Sequence, residues 1–97
     1  MRIISRKALR EFLEKHPDAQ QPLQAWYYDA KKAEWKTPAQ IKNLYRNASF
    51  VGKNRVVFNI KGNRYRLVVA VNYQIGIIFI RFIGTHAEYD KIDAAKI

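Results

Sequence analysis

The chain is 97 residues long, has no cysteine, and carries 18 Lys and Arg against 8 Asp and Glu, a formal net charge of +10. That length admits one modest core, which hides roughly 65% of the unfolded surface, and 48% hydrophobic residues suffice to fill it. The lack of cysteine excludes disulfide staples, zinc–thiolate sites and thiol nucleophiles; with no apolar run near ~18 residues and no signal-type opening, a soluble cytoplasmic protein with a single domain over 1–97 is the expectation.

In chain order, Arg2-Ile3-Ile4 reads as a short first strand. Ser5 is placed to cap a helix to about His16, in which Ala8, Leu9, Phe12 and Leu13 recur at helical spacing. Pro17 stops it. Asp18-Ala19-Gln20-Gln21 is a second start signal, with Leu23, Trp26, Tyr27 and Ala30 giving the next helix its apolar face to about Ala33. In Thr37-Pro38-Ala39-Gln40 the Thr caps, the Pro takes the first helical position and the Gln reaches back, so a short helix follows through Ile41, Leu44 and Tyr45.

The pattern then turns extended. Arg55–Ile60 alternates, with Val56, Phe58 and Ile60 on one face, and Lys61-Gly62-Asn63 is a short hairpin turn. Arg64–Tyr73 and Ile77–Ile83 are nearly continuous apolar runs separated by Gln74-Ile75-Gly76, as expected of strands covered on much of both faces. Gly84 is expected to break the sheet. Thr85-His86-Ala87-Glu88 reads as a capping box opening a last short helix through Tyr89 and Ile92. The predicted class is α+β: a small antiparallel sheet with the N-terminal helices packed on one face and a short C-terminal helix.

Charge sharpens the reading. Residues 35–87 hold nine basic side chains and no acid, so nearly all the excess lies in the sheet block. A basic domain of this kind expects a polyanionic partner. Arg66 and Arg81 interrupt apolar strands, where a guanidinium is costly to desolvate without an anion. Three fates are open for them: a bound phosphate, a carboxylate folded over from Glu88, Asp90, Asp93 or a helix, or solvent on an open sheet face. His86 falls in the first turn of the last helix, where an anion is favoured, and is either a general acid or base or a surface residue after a cap. His16, before Pro17, compensates a helix C-terminus. Lys53, Arg55, Lys61 and Arg64 flank the first two sheet strands and either guard an edge or track a nucleic-acid backbone. Tyr65, Tyr73 and Tyr89 are able to stack on bases or to pack in the core. Two distant histidines and a terminal cluster of acids offer no metal constellation, and no cofactor motif is present.

Phe58-Asn59-Ile60-Lys61-Gly62-Asn63-Arg64-Tyr65-Arg66-Leu67, then Arg81, then Thr85-His86-Ala87-Glu88-Tyr89-Asp90, resembles the HigB family of bacterial toxins, RelE-like messenger-RNA interferases of type II toxin–antitoxin systems. The likeness runs over nearly the whole chain. It implies a sheet with helices on one side and a basic RNA cleft on the other. It also implies messenger-RNA cleavage without a metal, often on the ribosome, and neutralisation by a HigA-type helix-turn-helix antitoxin. By that resemblance Arg66, Arg81, His86, Tyr89 and Lys53 are the candidate catalytic residues. Arg55, Lys61, Asn63, Arg64 and Tyr65 are the candidate RNA contacts. The expected chemistry is attack of a ribose 2′-OH on a phosphate held by Arg66 and Arg81, with His86 as general acid and either Lys53 or another group as base. The competing readings are a non-catalytic RNA-binding module, for which His86 is incidental, and an interaction domain whose charge answers an acidic protein.

Overall fold

A computed structural model describes all 97 residues. The elements are β1 (Arg2–Ile4), α1 (Lys7–Lys15), a 3₁₀ turn (Pro17–Ala19), α2 (Gln20–Lys32), α3 (Pro38–Leu44), β2 (Ser49–Val51), β3 (Arg55–Ile60), β4 (Tyr65–Asn72), β5 (Ile77–Thr85) and α4 (His86–Tyr89). The strands form one sheet in the order β1-β5-β4-β3-β2. β1 lies parallel to β5 and the other pairs are antiparallel. The α+β class holds, and β2, absent from the sequence reading, adds a short edge strand.

The helices gather on one face of the sheet. Leu9 and Phe12 of α1, Leu23, Trp26 and Ala30 of α2 and Ile41 of α3 are buried against Val56, Phe58, Ile60, Leu67, Val69, Val71, Ile78 and Ile80. Each of these positions obeys the 3.6- or 2-residue period that the sequence carries. Val57 and Val68 point the other way and are covered by Ala94, with Val51, Phe82, Tyr89 and Ile97 around them. The C-terminal segment thus crosses part of the second face and leaves the rest open.

Several local expectations are corrected. Ser5 does not cap α1: it turns the chain at φ 75, and Arg6 occupies the cap position without a side-chain bond. Asp18 does not cap α2; its carboxylate turns to β4 instead, as described below. Thr37 makes no side-chain cap bond, although Pro38 does take the first turn of α3 and Gln40 accepts from the Lys36 amide. Gly84 does not break the sheet but pairs with Arg66 inside β5. A Cβ there would sit 2.6 Å from Phe82 Cζ and 3.0 Å from Glu88 Oε1, so the residue is glycine for closeness, not for a turn. The last helix ends at Tyr89 and does not reach Ile92, with turns following it. Its capping box is complete: the Glu88 amide donates to Thr85 Oγ1 at 3.1 Å and the Thr85 amide to Glu88 Oε1 at 2.8 Å. These bonds hold the Glu88 carboxyl below its ordinary pKa.

Candidate functional site

The open face is built by β4 and β5. Arg66 stands on β4 opposite Asn59 of β3 and Gly84 of β5. Its guanidinium donates to the Asn63 carbonyl at 3.1 Å and lies 6.0 Å from the Tyr89 ring centroid. Asn59 Nδ2 approaches Asn63 Oδ1 at 3.4 Å, so the β3–β4 turn closes beside the same guanidinium. Tyr89 is held in turn against Phe82, their rings 6.4 Å apart.

Arg81 owes its position to a break in register. Val68 pairs with Phe82 but Val69 pairs with Ile80, so Arg81 is the extra residue of a β-bulge. A bulge re-aims the side chain it carries. Ile78 and Ile80 face the helices before it and Ile83 after it. Arg81 itself is exposed, its guanidinium 5.4 Å from the Phe79 ring on the open face. Counting along the ladder from Gly84 puts Arg66 and Arg81 about 8–10 Å apart in the strand direction.

Neither arginine has a carboxylate partner. The acids that reach this end of the molecule are engaged: Glu88 in the capping box, Asp90 with His86 and Asp93 with Lys96. Of the three fates open to the arginines, internal neutralisation is therefore absent, and both stand on a face an anion can reach.

His86 begins α4, where its amide donates to the carbonyl of Arg64, the residue before β4 begins. Its ring Nδ1 lies 3.1 Å from Asp90 Oδ2, and both side chains are about half exposed, at 51% and 60%. When Nδ1 carries the proton it donates to Asp90, which fixes the tautomer and leaves Nε2 free. His86, Tyr89 and Asp90 share one face of the turn, and Tyr89 touches Arg66, so imidazole and guanidinium border one patch. With only four residues, α4 supplies little dipole of its own. Asp90 was missed as a functional partner by sequence reasoning, although its i,i+4 spacing from His86 was visible.

The other candidates divide. Lys53 sits in the β2–β3 turn, beyond Arg55, at the end of the sheet remote from His86. Five residues of β3 separate Arg55 from the Ile60–Tyr65–Thr85 level, about 17 Å of strand. The fold does not bring Lys53 to the imidazole. Arg55 is anchored, its Nε donating to the Ile97 carbonyl at 2.7 Å. Tyr65 is buried on the helix side, edge-on to Phe12 at 5.1 Å. Its hydroxyl donates to Asp18 Oδ1 at 2.7 Å, and Lys61 Nζ and Arg64 Nη1 reach Asp18 Oδ2 at 2.9 and 3.1 Å. The Tyr65 and Lys61 bonds above all drive the Asp18 carboxyl down to about 2, and the carboxylate in turn raises the Tyr65 phenol. Lys61, Arg64 and Tyr65 thus close a structural lock on the helix side, and only Asn63 of that turn faces Arg66.

Fold and face together define a small basic α+β protein with two arginines free of carboxylates on its open sheet surface. The comparisons place that class in a family. Residues 19–92 match the HigB toxin family, described as the RelE-like toxic component of a toxin–antitoxin system. The mRNA interferase HigB of Escherichia coli O6:H1 (strain CFT073) is 30% identical over 94 residues, covering 95% of this chain and 91% of that protein. The mRNA interferase toxin HigB of Escherichia coli K12 is 33% identical over 97 residues, covering 97% of this chain and 92% of that protein. The mRNA interferase HigB of Shigella flexneri matches at the same identity and coverage. The chain belongs to the HigB toxin family.

Proposed function

We propose that this protein is an endoribonuclease toxin that cleaves messenger RNA through its own 2′-OH groups. The observation that carries the reading is a pair of strand arginines, free of carboxylates, on the open sheet face, of which Arg66 lies against Tyr89 on the turn that also carries the His86–Asp90 couple. The scissile phosphate lies against Arg66 and Arg81, whose donors stabilise the charge that builds on the pentacovalent phosphorus. The 2′ oxygen bonds to phosphorus, its proton leaves to water, and the bond from phosphorus to the 5′ oxygen breaks. His86, protonated on both ring nitrogens, gives its Nε2 proton to the departing oxygen and is left as the neutral ring, its Nδ1–H held by Asp90. The products are a 2′,3′-cyclic phosphate and a 5′-OH. Tyr89 stacks on a base next to the cleaved linkage and steadies Arg66. Lys53 is outside the proton transfers because of its distance; with Arg55 and Asn63 it tracks the RNA chain beyond the cut.

Similarity to proteins named mRNA interferase supports the substrate, and the toxin–antitoxin family supports a protein antitoxin. Work on ribosome-bound messages in the cytoplasm and a HigA-type antitoxin belong to the same proposal. No helix is long and apolar enough to cross a membrane. The deciding experiment induces wild type and His86→Ala in cells and maps transcript ends. Wild type is expected to arrest growth and leave new 5′-OH ends. His86→Ala is expected to lose about 10²–10⁴-fold in cleavage while folding and binding RNA normally. Equal cleavage by a folded His86→Ala protein removes the imidazole from the mechanism. RNA binding without any cleavage by the wild type establishes the binding module in its place.

A further inference from the structure

On the side of the molecule away from Arg66 and Arg81, α1 and α2 leave a groove of about 490 Å³. Its floor is Leu9, Leu13 and Leu23, and Tyr28 at its margin is 62% exposed. Arg6, Arg10 and Lys31 stand at its rim. It runs on into a second cleft of about 410 Å³ along β1, which shares Arg6, Tyr27 and Lys31 and adds Arg2. No carboxylate lines either cleft. The ion pairs of the structure all lie elsewhere, so Arg2, Arg6, Arg10 and Lys31 keep their charges uncompensated. Arg6 donates to the Tyr27 hydroxyl at 2.6 Å, and Lys31 lies 5.9 Å from the same ring, so part of the rim is already ordered over an aromatic plate.

A leucine floor inside a cationic rim selects its occupant. RNA satisfies the rim but gains nothing from the leucines. A second copy of this chain brings the same cations to the same place, at a net +10 apiece. An amphipathic helix with apolar anchors at i, i+3, i+4 and i+7 and carboxylates along both flanks satisfies floor and rim together. The family supplies a protein partner in its antitoxin. We propose that the α1–α2 groove is the docking site for an acid-flanked amphipathic segment of the antitoxin, an inference that rests on the toxin reading above. Docking there holds the antitoxin on the helix layer and leaves the arginine face of the sheet uncovered by that segment.

The test uses purified full-length toxin and its cognate antitoxin, with the Arg10→Glu/Lys31→Glu double variant, Tyr28→Ala and Arg66→Ala. All but Arg66 alter exposed helix positions outside the proposed RNA site. Antitoxin affinity is measured by calorimetry and RNA cleavage on the same preparations. The double reversal is expected to weaken antitoxin binding at least a hundredfold and Tyr28→Ala about tenfold, with cleavage within twofold of wild type. Arg66→Ala is expected to show the opposite pattern. Antitoxin affinity within twofold of wild type in the double variant overturns the docking site, as does loss of cleavage with affinity retained, which makes the groove an RNA surface. If wild type binds antitoxin through this groove yet cleaves no RNA, the docking site stands and the toxin chemistry falls. If wild type cleaves and the reversed groove still binds, the docking site alone falls.

Discussion

Arg66 keeps its charge available because each acid near the last strands is already committed, and Asp90 is the commitment that bears on chemistry. Its Oδ2 lies 3.1 Å from His86 Nδ1, which orients the ring without burying either group. Asp90→Asn preserves the shape of the turn but replaces the carboxylate with a neutral amide whose Nδ2 donates, so the Nδ1–H form loses its charged acceptor. Cleavage is expected to fall about ten- to a hundredfold, less than the 10²–10⁴-fold that a proton donor itself supplies. RNA affinity, read by filter binding, and the circular dichroism spectrum are expected to stay unchanged; a matching loss of affinity marks Asp90 as a structural residue only. At Asp18 the linkage works through stability. Its carboxyl is held at about 2 by the Tyr65 hydroxyl first and Lys61 second, below the ordinary value of 3.8. A depressed carboxylate stabilises the fold fully above its unfolded pKa and loses that contribution as pH falls through the folded one. Wild type is therefore expected to exceed Asp18→Asn in denaturant midpoint at pH 6, with the gap closing between about pH 4 and 2. A gap that persists to pH 2 excludes the ionised carboxylate as its source.

At the scale of elements, Gly84 shows where sequence signals mislead. Glycine is a fair turn marker, and its neighbour Thr85 opens a capping box, so a break before α4 was the natural reading. β5 instead continues to Thr85, and the glycine lets Phe82 and Glu88 close over the strand. Gly84→Ala forces the Phe82 ring off Tyr89 or Glu88 out of its cap. A loss of about 1–3 kcal/mol in chemical denaturation is expected, the range for overpacking; a neutral outcome shows that the ring moves freely. The legible parts of the fold were those set by period and composition: the apolar faces of α1 and α2, the alternation of β3, the α4 box. The Ser5 and Asp18 caps failed because a capping side chain is free to choose other partners, and Asp18 finds three cationic or hydroxyl donors on β4 and its turn. β2 has three residues and no pattern of its own, so its pairing with β3 defines it. The bulge at Arg81 was illegible because seven residues of Ile77–Ile83 read equally well with either parity, and only pairing with β4 decides which one is extra. The resemblance names Arg66 and Tyr89 as site residues, but that they meet required the fold.

Across the whole molecule, a formal charge of +10 is divided between two faces with different surroundings. The sheet face carries Arg66 and Arg81 unpaired, whereas Lys61 and Arg64 are gathered on Asp18 at the helix side. Net charge alone treats all four as RNA contacts; the fold separates them. Salt dependence measures that separation, since each phosphate contact on a single strand contributes a slope of about −0.7 to the log–log plot of affinity against salt. Because one scissile phosphate is proposed to lie against both arginines, Arg66→Ala and Arg81→Ala are each expected to make the slope shallower by less than a whole phosphate contact, about 0.7, for a non-cleavable 2′-deoxy strand. Lys61→Ala is expected to leave the slope unchanged within error and to lower stability instead, by weakening the hold on Asp18. The double variant Arg66→Ala/Arg81→Ala then loses both contacts, about 1.4 in slope, if the two guanidiniums grip independent phosphates. A loss near 0.7 in the double variant means that they share one, which is the arrangement a single scissile linkage requires, and a slope that tracks Lys61 as strongly as Arg66 moves the RNA path to the helix side.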